Sequence, residues 1–124
     1  MGKKILIADD EERVRKLVRT ILELAKSGFE IYEAVDGDEA YKMAKKIKPD
    51  LMVLDIMMPG MNGYDVCKKL KSSDATRKIY VLILTARGSS LSERTMELVG
   101  ADAFLAKPFT PLELELTVKN AFGM

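Results

Sequence analysis

The sequence predicts one α/β domain over residues 1–124, a single five-stranded parallel sheet with five helices on both faces. Three observations carry this. Five short apolar runs alternate with segments of helical period, helix starts are marked by capping side chains three residues before Glu, and the central runs are continuously apolar. Strands read that way when helices cover both faces of a parallel sheet.

The run KILIA at 4–8 is the first strand. Val14, Leu17, Val18, Ile21, Leu22 and Ala25 then recur at i, i+3, i+4 spacing, the apolar face of a first helix. Asp9 ahead of Glu12 is a loose start signal for it and Gly28 the stop. EIYEA at 30–34 is the second strand, and DGDE at 36–39 is a capping box opening a second helix with Ala40, Met43, Ala44 and Ile47 inward. LMVL at 51–54 is the third strand, after which Asn62 with Asp65 opens a third helix. YVLIL at 80–84 is the fourth strand, SLSE at 90–93 caps a fourth helix that Gly100 ends, and AFLA at 103–106 is the fifth strand. LELELTV at 112–118 alternates with period two, which alone says strand, but Thr110 as N-cap and Pro111 at the first helical position start a fifth helix. Leu114, Val118, Ala121 and Phe122 then share one stripe, while Leu112 and Leu116, roughly 200° of rotation from Leu114, form a second, outward one.

The composition narrows the function. With 48% hydrophobic and 31% charged residues the chain should bury one core and fold alone. Twenty basic against nineteen acidic residues, with no Trp, argue against a nucleic-acid surface, so CKKLK at 67–71 reads as a solvated helix face. The single Cys67 excludes an internal disulfide, and no signal-peptide layout, lipidation signature or membrane-length apolar run is found. A cytoplasmic location is therefore expected. The absence of His excludes His-based metal sites, triads and general bases, leaving carboxylates, hydroxyls, lysine or Cys67 for any chemistry.

In open α/β sheets ligands bind outside the carboxyl ends of the strands. Strand one ends in Asp9 and Asp10, strand three in Asp55, strand four in Thr85, and strand five in Lys107 before Pro108. If strands one, three, four and five are neighbours, three carboxylates, a hydroxyl and an ammonium meet in one crevice. Three such acids either raise a pKa or hold a cation, and an all-oxygen donor set favours Mg²⁺ or Mn²⁺ over zinc. Taken singly, Asp9 or Asp10 reads equally as a helix cap, Thr85 as an ordinary strand end and Lys107 as a surface lysine. Asp55 is harder to dismiss, because an acid closing a buried strand costs several kcal/mol unless paired. Lys-Pro at 107–108 points to a constrained peptide, cis being the less common form.

The stretches ILIADDE at 5–11, PDLMVLDIMMPGMNG at 49–63, LTA at 84–86 and GADAFLAKPF at 100–109 together resemble the receiver domains of two-component response regulators, including stand-alone chemotaxis-type regulators. The resemblance spans essentially the whole chain and implies the flavodoxin-like strand order 2-1-3-4-5. It implies that Asp55 is the phosphoacceptor, taking a phosphoryl group from a phosphohistidine on a partner kinase or phosphotransfer protein. Asp10 would bind Mg²⁺ directly, with Asp9 acting mainly through water, alongside Asp55 and the backbone carbonyl of Met57. Lys107 would pair with phosphoryl oxygens and Thr85 would donate to one of them. Such a domain is not an enzyme in its own right; it assists only its own phosphorylation and dephosphorylation. Gly60 and Gly63 suit a tight loop after Asp55, and Pro59 restricts Met58 to extended conformations.

The resemblance also implies a switch, in which Thr85 is drawn to the phosphoryl group and the aromatic Phe104 moves inward. Helix four, strand five and helix five would then form the face for a downstream target or output domain. Many members carry Tyr there; Phe104 keeps the ring without the hydroxyl. Leu112 and Leu116 read either as ordinary exposed leucines or, beside Phe104, as a phosphorylation-dependent homodimer patch. Met57 and Arg87 occupy positions that influence dephosphorylation in the family. Arg13, Arg15, Lys16 and Arg19, with Pro108 and Phe109, read as a kinase-docking surface or as solvent-facing charge.

Competing chemistries fit less well. A haloacid-dehalogenase-type phosphatase needs a second Asp two residues after the first, where this chain has Met57. A nucleotide- or flavin-binding protein would want a glycine-rich loop after strand one, where this chain has ADDEE. A non-phosphorylated interaction scaffold keeps the fold but would be signalled by loss of an acid, Thr or Lys, and all are present. No nucleic-acid or membrane contact and no output domain are expected within these residues; a stand-alone regulator and a piece of a longer one both fit.

Overall fold

The apolar runs become the strands β1(Lys4–Ala8), β2(Glu30–Ala34), β3(Leu51–Asp55), β4(Tyr80–Ala86) and β5(Ala103–Lys107). They form one parallel sheet in the order β2-β1-β3-β4-β5. The computed structural model describes residues 2–25, 27–86 and 99–124. Four helices are described, α1(Glu12–Leu24), α2(Gly37–Ile47), α3(Gly63–Lys71) and α4(Pro111–Ala121). The expected helix opened by SLSE, and Arg87, lie outside the described residues, so α4 is the helix the sequence counts fifth.

Period-two alternation explains why the strands read as continuously apolar. Ile5, Ile7, Leu51, Val53, Leu82 and Leu84 point to one face and pack with Val18, Ile21 and Leu22 of α1 and Leu114 and Val118 of α4. Leu6, Ala8, Met52, Leu54, Val81 and Ile83 point to the other and pack with Ala40 and Ala44 of α2 and Val66, Cys67 and Leu70 of α3. Each buried Val, Leu, Ile or Met among them contributes on the order of 1.5–3 kcal/mol on leaving water, the alanines less. No helix among the described residues is long and apolar enough to cross a membrane.

Local signals hold with instructive departures. Thr110 and Glu113 form the full capping box, and Asn62 caps α3 by accepting from the Asp65 N–H. In DGDE only half the box forms: Asp36 accepts from Glu39 N–H, but the Glu39 carboxylate accepts from Val35 N–H. Asp9 does not cap α1, which has Glu11 at its N-cap and no side-chain cap; Asp9 Oδ1 accepts instead from Glu11 N–H at 2.9 Å, ahead of the helix. Helix α1 stops at Leu24, short of Gly28, whereas Gly100 directly follows helical Val99. Leu17, expected inward, is half-exposed at the border of the α1 stripe. Leu112 and Leu116 are exposed as expected, at 61% and 48%.

Two groups of charges are less solvent-facing than the sequence suggests. Arg15 and Arg19 turn to opposite oxygens of Glu33 on β2, at 3.1 and 2.7 Å. Within CKKLK, Lys68 and Lys69 are exposed, but the Lys71 ammonium donates to Arg77 O, Ile79 O and Asp102, tying α3 to the strands beyond it.

Candidate functional site

Strands β3, β4 and β5 each run past the apolar stretch that defines them in sequence, and the extra residues include Asp55, Thr85 and Lys107, three of the expected site residues. Asp55 and Lys107 are terminal strand residues, and Thr85 is the penultimate residue of β4. A polar side chain at a strand end still joins the backbone ladder, so Asp55 pairs with Leu84 and Thr85 with Ala106. Ala8 pairs with Leu54, so the next residue, Asp9, stands beside Asp55. Alternation then sorts the side chains: Asp9 continues Ile5 and Ile7, Asp55 continues Leu51 and Val53, and Lys107 continues Ala103 and Leu105, all toward the α1/α4 face.

The result is a compact ionic centre. Lys107 Nζ donates to Asp55 Oδ1 at 3.0 Å and to Asp9 Oδ2 at 3.3 Å. Ligand atoms of Asp9, Asp10 and Asp55 lie within 4.8 Å of one another. Asp9 is fully buried and Asp55 is 7% exposed, while Asp10, next in sequence, faces solvent. Burial pushes the Asp55 carboxyl above its ordinary range; the Lys107 hydrogen bond opposes this and the charge of Asp9 adds to it. For Lys107 burial works against the charge, but the hydrogen bond and charge of Asp55, then Asp9, hold the ammonium above its ordinary range.

These residues open onto a crevice of about 480 Å³ lined by Asp10, Glu11, Asp55, Ile56, Met57 and Tyr64, with Lys107 and Leu84. A larger groove of about 580 Å³ between α2 and α3 is lined by Tyr41, Met61, Asp65, Lys68 and Lys69 among others, and Asp65 is the one acid among the described residues in its lining. The expected site residues Asp10, Asp55 and Lys107 line the smaller crevice. The three aspartates against one ammonium leave the centre net negative, and their donors are oxygens, with Asp10 facing solvent; these features suit a hard divalent cation. Cys67 is no rival nucleophile, because it is buried and its thiol is pushed up to about 11.

The turn after Asp55 is folded tightly against it. Gly63 N–H donates to Ile56 O at 2.9 Å, and a Cβ on Gly63 would collide with the Asp55 carbonyl oxygen and sit 2.9 Å from Ile56 Cα. Gly60 has φ +73°, a conformation that favours glycine. The Lys107–Pro108 peptide is cis. Met57 lines the crevice with its side chain exposed.

The structure thus brings Asp9, Asp10, Asp55 and Lys107 together directly, with Met57 at the rim and Thr85 buried one ladder step past Leu84. Phe104 does not join them: it pairs with Ile83 and is 51% exposed, on the face opposite Lys107. Sequence reasoning missed Glu11 and Tyr64 in the crevice wall. Their only sequence signal is position, one directly after the paired acids and the other directly after Gly63.

Comparison with known proteins identifies the family and the fold. The family model described as a response regulator receiver domain matches residues 5–119. The alkaline phosphatase synthesis transcriptional regulatory protein PhoP of Bacillus subtilis is 42% identical over 119 residues, covering 96% of this chain and 48% of its own length. The chain therefore spans about half the length of the curated relatives it matches. Among solved structures, a response regulator from Chloroflexus aurantiacus has TM-score 0.91 at 34% identity, with 100% of both chains covered. The chemotaxis response regulator CheY4 of Vibrio cholerae has TM-score 0.88 at 31% identity, covering 98% of this chain and 99% of that one.

Proposed function

This chain belongs to the response regulator receiver domains, and we propose that it accepts a phosphoryl group from a histidine kinase or phosphotransfer protein onto Asp55. The P–N bond of the donor phosphohistidine breaks as an Asp55 carboxylate oxygen bonds to phosphorus, and the freed imidazole nitrogen takes up a proton. The observation that carries this reading is the convergence of three carboxylates and Lys107 on one crevice.

Each residue has a share in the transfer. Lys107, bonded to Asp55 Oδ1, orients the carboxylate and neutralises phosphoryl oxygens as they arrive. Bound Mg²⁺ (or Mn²⁺), held by Asp10, Asp55 and the Met57 carbonyl, would neutralise the remaining charge. Both Asp9 oxygens already accept, from Glu11 N–H and Lys107, which supports its reaching the metal through water. Thr85 would donate to a phosphoryl oxygen. A carboxylate nucleophile is an established way to form a covalent phospho-intermediate.

The switch reading has a geometric basis as well. Because Ile83 pairs with Phe104 and Thr85 with Ala106, Thr85 and Phe104 share one face of neighbouring strands. Movement of Thr85 toward Asp55 would vacate space on Phe104's own side, and an inward ring would change the surface at β5. That surface is proposed to meet a downstream target, an output domain or a second copy of this chain, in the cytoplasm.

Incubation with a small phosphodonor and Mg²⁺ tests the assignment. The expected result is a mass gain of one phosphoryl group, labile in base, abolished by chelation of the metal and absent in Asp55→Asn. An intact protein that gains no mass would refute it and favour the scaffold reading.

A further inference from the structure

We propose that Arg15 is a positioning residue for the metal-binding turn, acting through the backbone carbonyl of Asp9; this rests on the reading of Asp9 and Asp10 as metal-binding acids. Arg15 Nη1 donates to Asp9 O at 2.8 Å and its Nε donates to Glu33 Oε1 at 3.1 Å. Only 12% of its side-chain surface is exposed. The Asp9 carbonyl belongs to the same planar peptide as the Asp10 nitrogen, so this bond sets the plane from which Asp10 departs. Asp9 Oδ1 is held by Glu11 N–H and Oδ2 by Lys107, which leaves the carbonyl as the handle on the peptide between the two acids.

The residue type suits the task. A planar guanidinium presents several donors in one rigid plane and can hold a carbonyl and a carboxylate together, whereas an ammonium is a point charge on a flexible stem. Glu33 acts as the fixed post, and its other oxygen is taken by Arg19 Nε at 2.7 Å. Arg19 is a built-in control: it shares Glu33, and its Nη2 donates to Ile31 O at 3.0 Å, away from the acids.

Charge and positioning predict opposite signs. Removing a cation beside three carboxylates would, by Coulomb attraction alone, tighten Mg²⁺ binding; loss of positioning weakens it. Mg²⁺ titrated into the intact protein, followed by calorimetry and by the amide resonances of Asp9, Asp10 and Glu11, gives the affinity without any phosphorylation assay. The expected result is weakening of roughly five- to twentyfold in R15Q and of less than twofold in R19Q, although both lose an ion pair to Glu33 and similar thermal stability. R15K, which keeps the charge without the planar donor set, is expected to stay at least threefold weakened, and it decides the matter if R15Q does not fold. Unchanged or tighter binding in the Arg15 variants, or equal weakening in R19Q, would overturn the proposal. Wild-type protein that binds no Mg²⁺ would overturn the metal reading itself, and this inference with it.

Discussion

Replacing Gly63 by Ala puts one methyl group where the backbone of Asp55 and Ile56 already stands. The new Cβ would lie 2.9 Å from Ile56 Cα and 3.0 Å from the Asp55 carbonyl carbon, and would overlap the Asp55 oxygen outright. Ordinary contact begins near 3.4 Å, so the two segments must part by about 0.5 Å or more. Overpacking of this kind costs about 1–3 kcal/mol. The Gly63 N–H bond to Ile56 O, now 2.9 Å, lies on the line of separation, and weakening it adds about 1 kcal/mol. A total of roughly 2–4 kcal/mol is a large part of a domain stability of about 5–15 kcal/mol. At about 3–4 °C per kcal/mol for a chain of this size, Tm should fall by roughly 6–16 °C. Because β3 is held on both sides by β1 and β4, the strain falls on the end of the strand, where Asp55 sits. A misplacement approaching 1 Å costs on the order of 100-fold in rate. Thermal melts give the first quantity and the rate of phosphoryl incorporation, by intact mass, gives the second. An alanine variant with wild-type Tm would show that the loop absorbs the methyl. Lowered Tm with a wild-type rate would show that Asp55 is not displaced, and would refute the coupling between this glycine and the acid.

The raised pKa of Asp55 makes a signed prediction for metal-free protein. Native Asp55 keeps its proton to higher pH than the unfolded chain does, so its contribution to stability falls as pH rises from the ordinary carboxylate value through its raised one. Asp55→Asn should therefore be more stable than wild type at pH 8, with the difference shrinking by pH 4 in chemical denaturation; a flat or reversed difference would refute this. Lys107, also raised, keeps its contribution until well into the alkaline range and does not disturb that window. Replacing Leu112 and Leu116 by Glu should leave stability within about 0.5 kcal/mol, because both are exposed. Light scattering of the phosphorylated double variant should show weaker self-association, and unchanged association would remove the homodimer patch.

How far the sequence reaches differs from feature to feature. KILIA, LMVL and YVLIL identify strands because burial on both faces leaves no polar position, and Thr110-Pro111 overrides the period-two pattern of LELELTV because a capped start acts on its own first turn. The ends were less legible. Asp55, Ala86 and Lys107 extend their strands because ladder hydrogen bonds are made by the backbone, whatever the side chain. Glu39 bonds Val35 N–H instead of Asp36 N–H, and Arg15 and Arg19 turn inward, because each finds a partner that the residue's own neighbourhood in the chain does not display.

By itself the sequence determined the order of the described elements, the caps at Asn62 and Thr110 and the residue types able to do the chemistry, because apolar period and capping act over a few residues at a time. Only the tertiary structure decided that Asp9 is sealed against Lys107 while Asp10, its neighbour in the chain, faces water. It decided too that Arg15 grips the peptide between them. The reason is that burial and charge pairing depend on what stands across the sheet: Lys107 is 98 residues from Asp9 along the chain yet 3.3 Å away in the fold. No local signal spans that distance, whereas parallel pairing in register does.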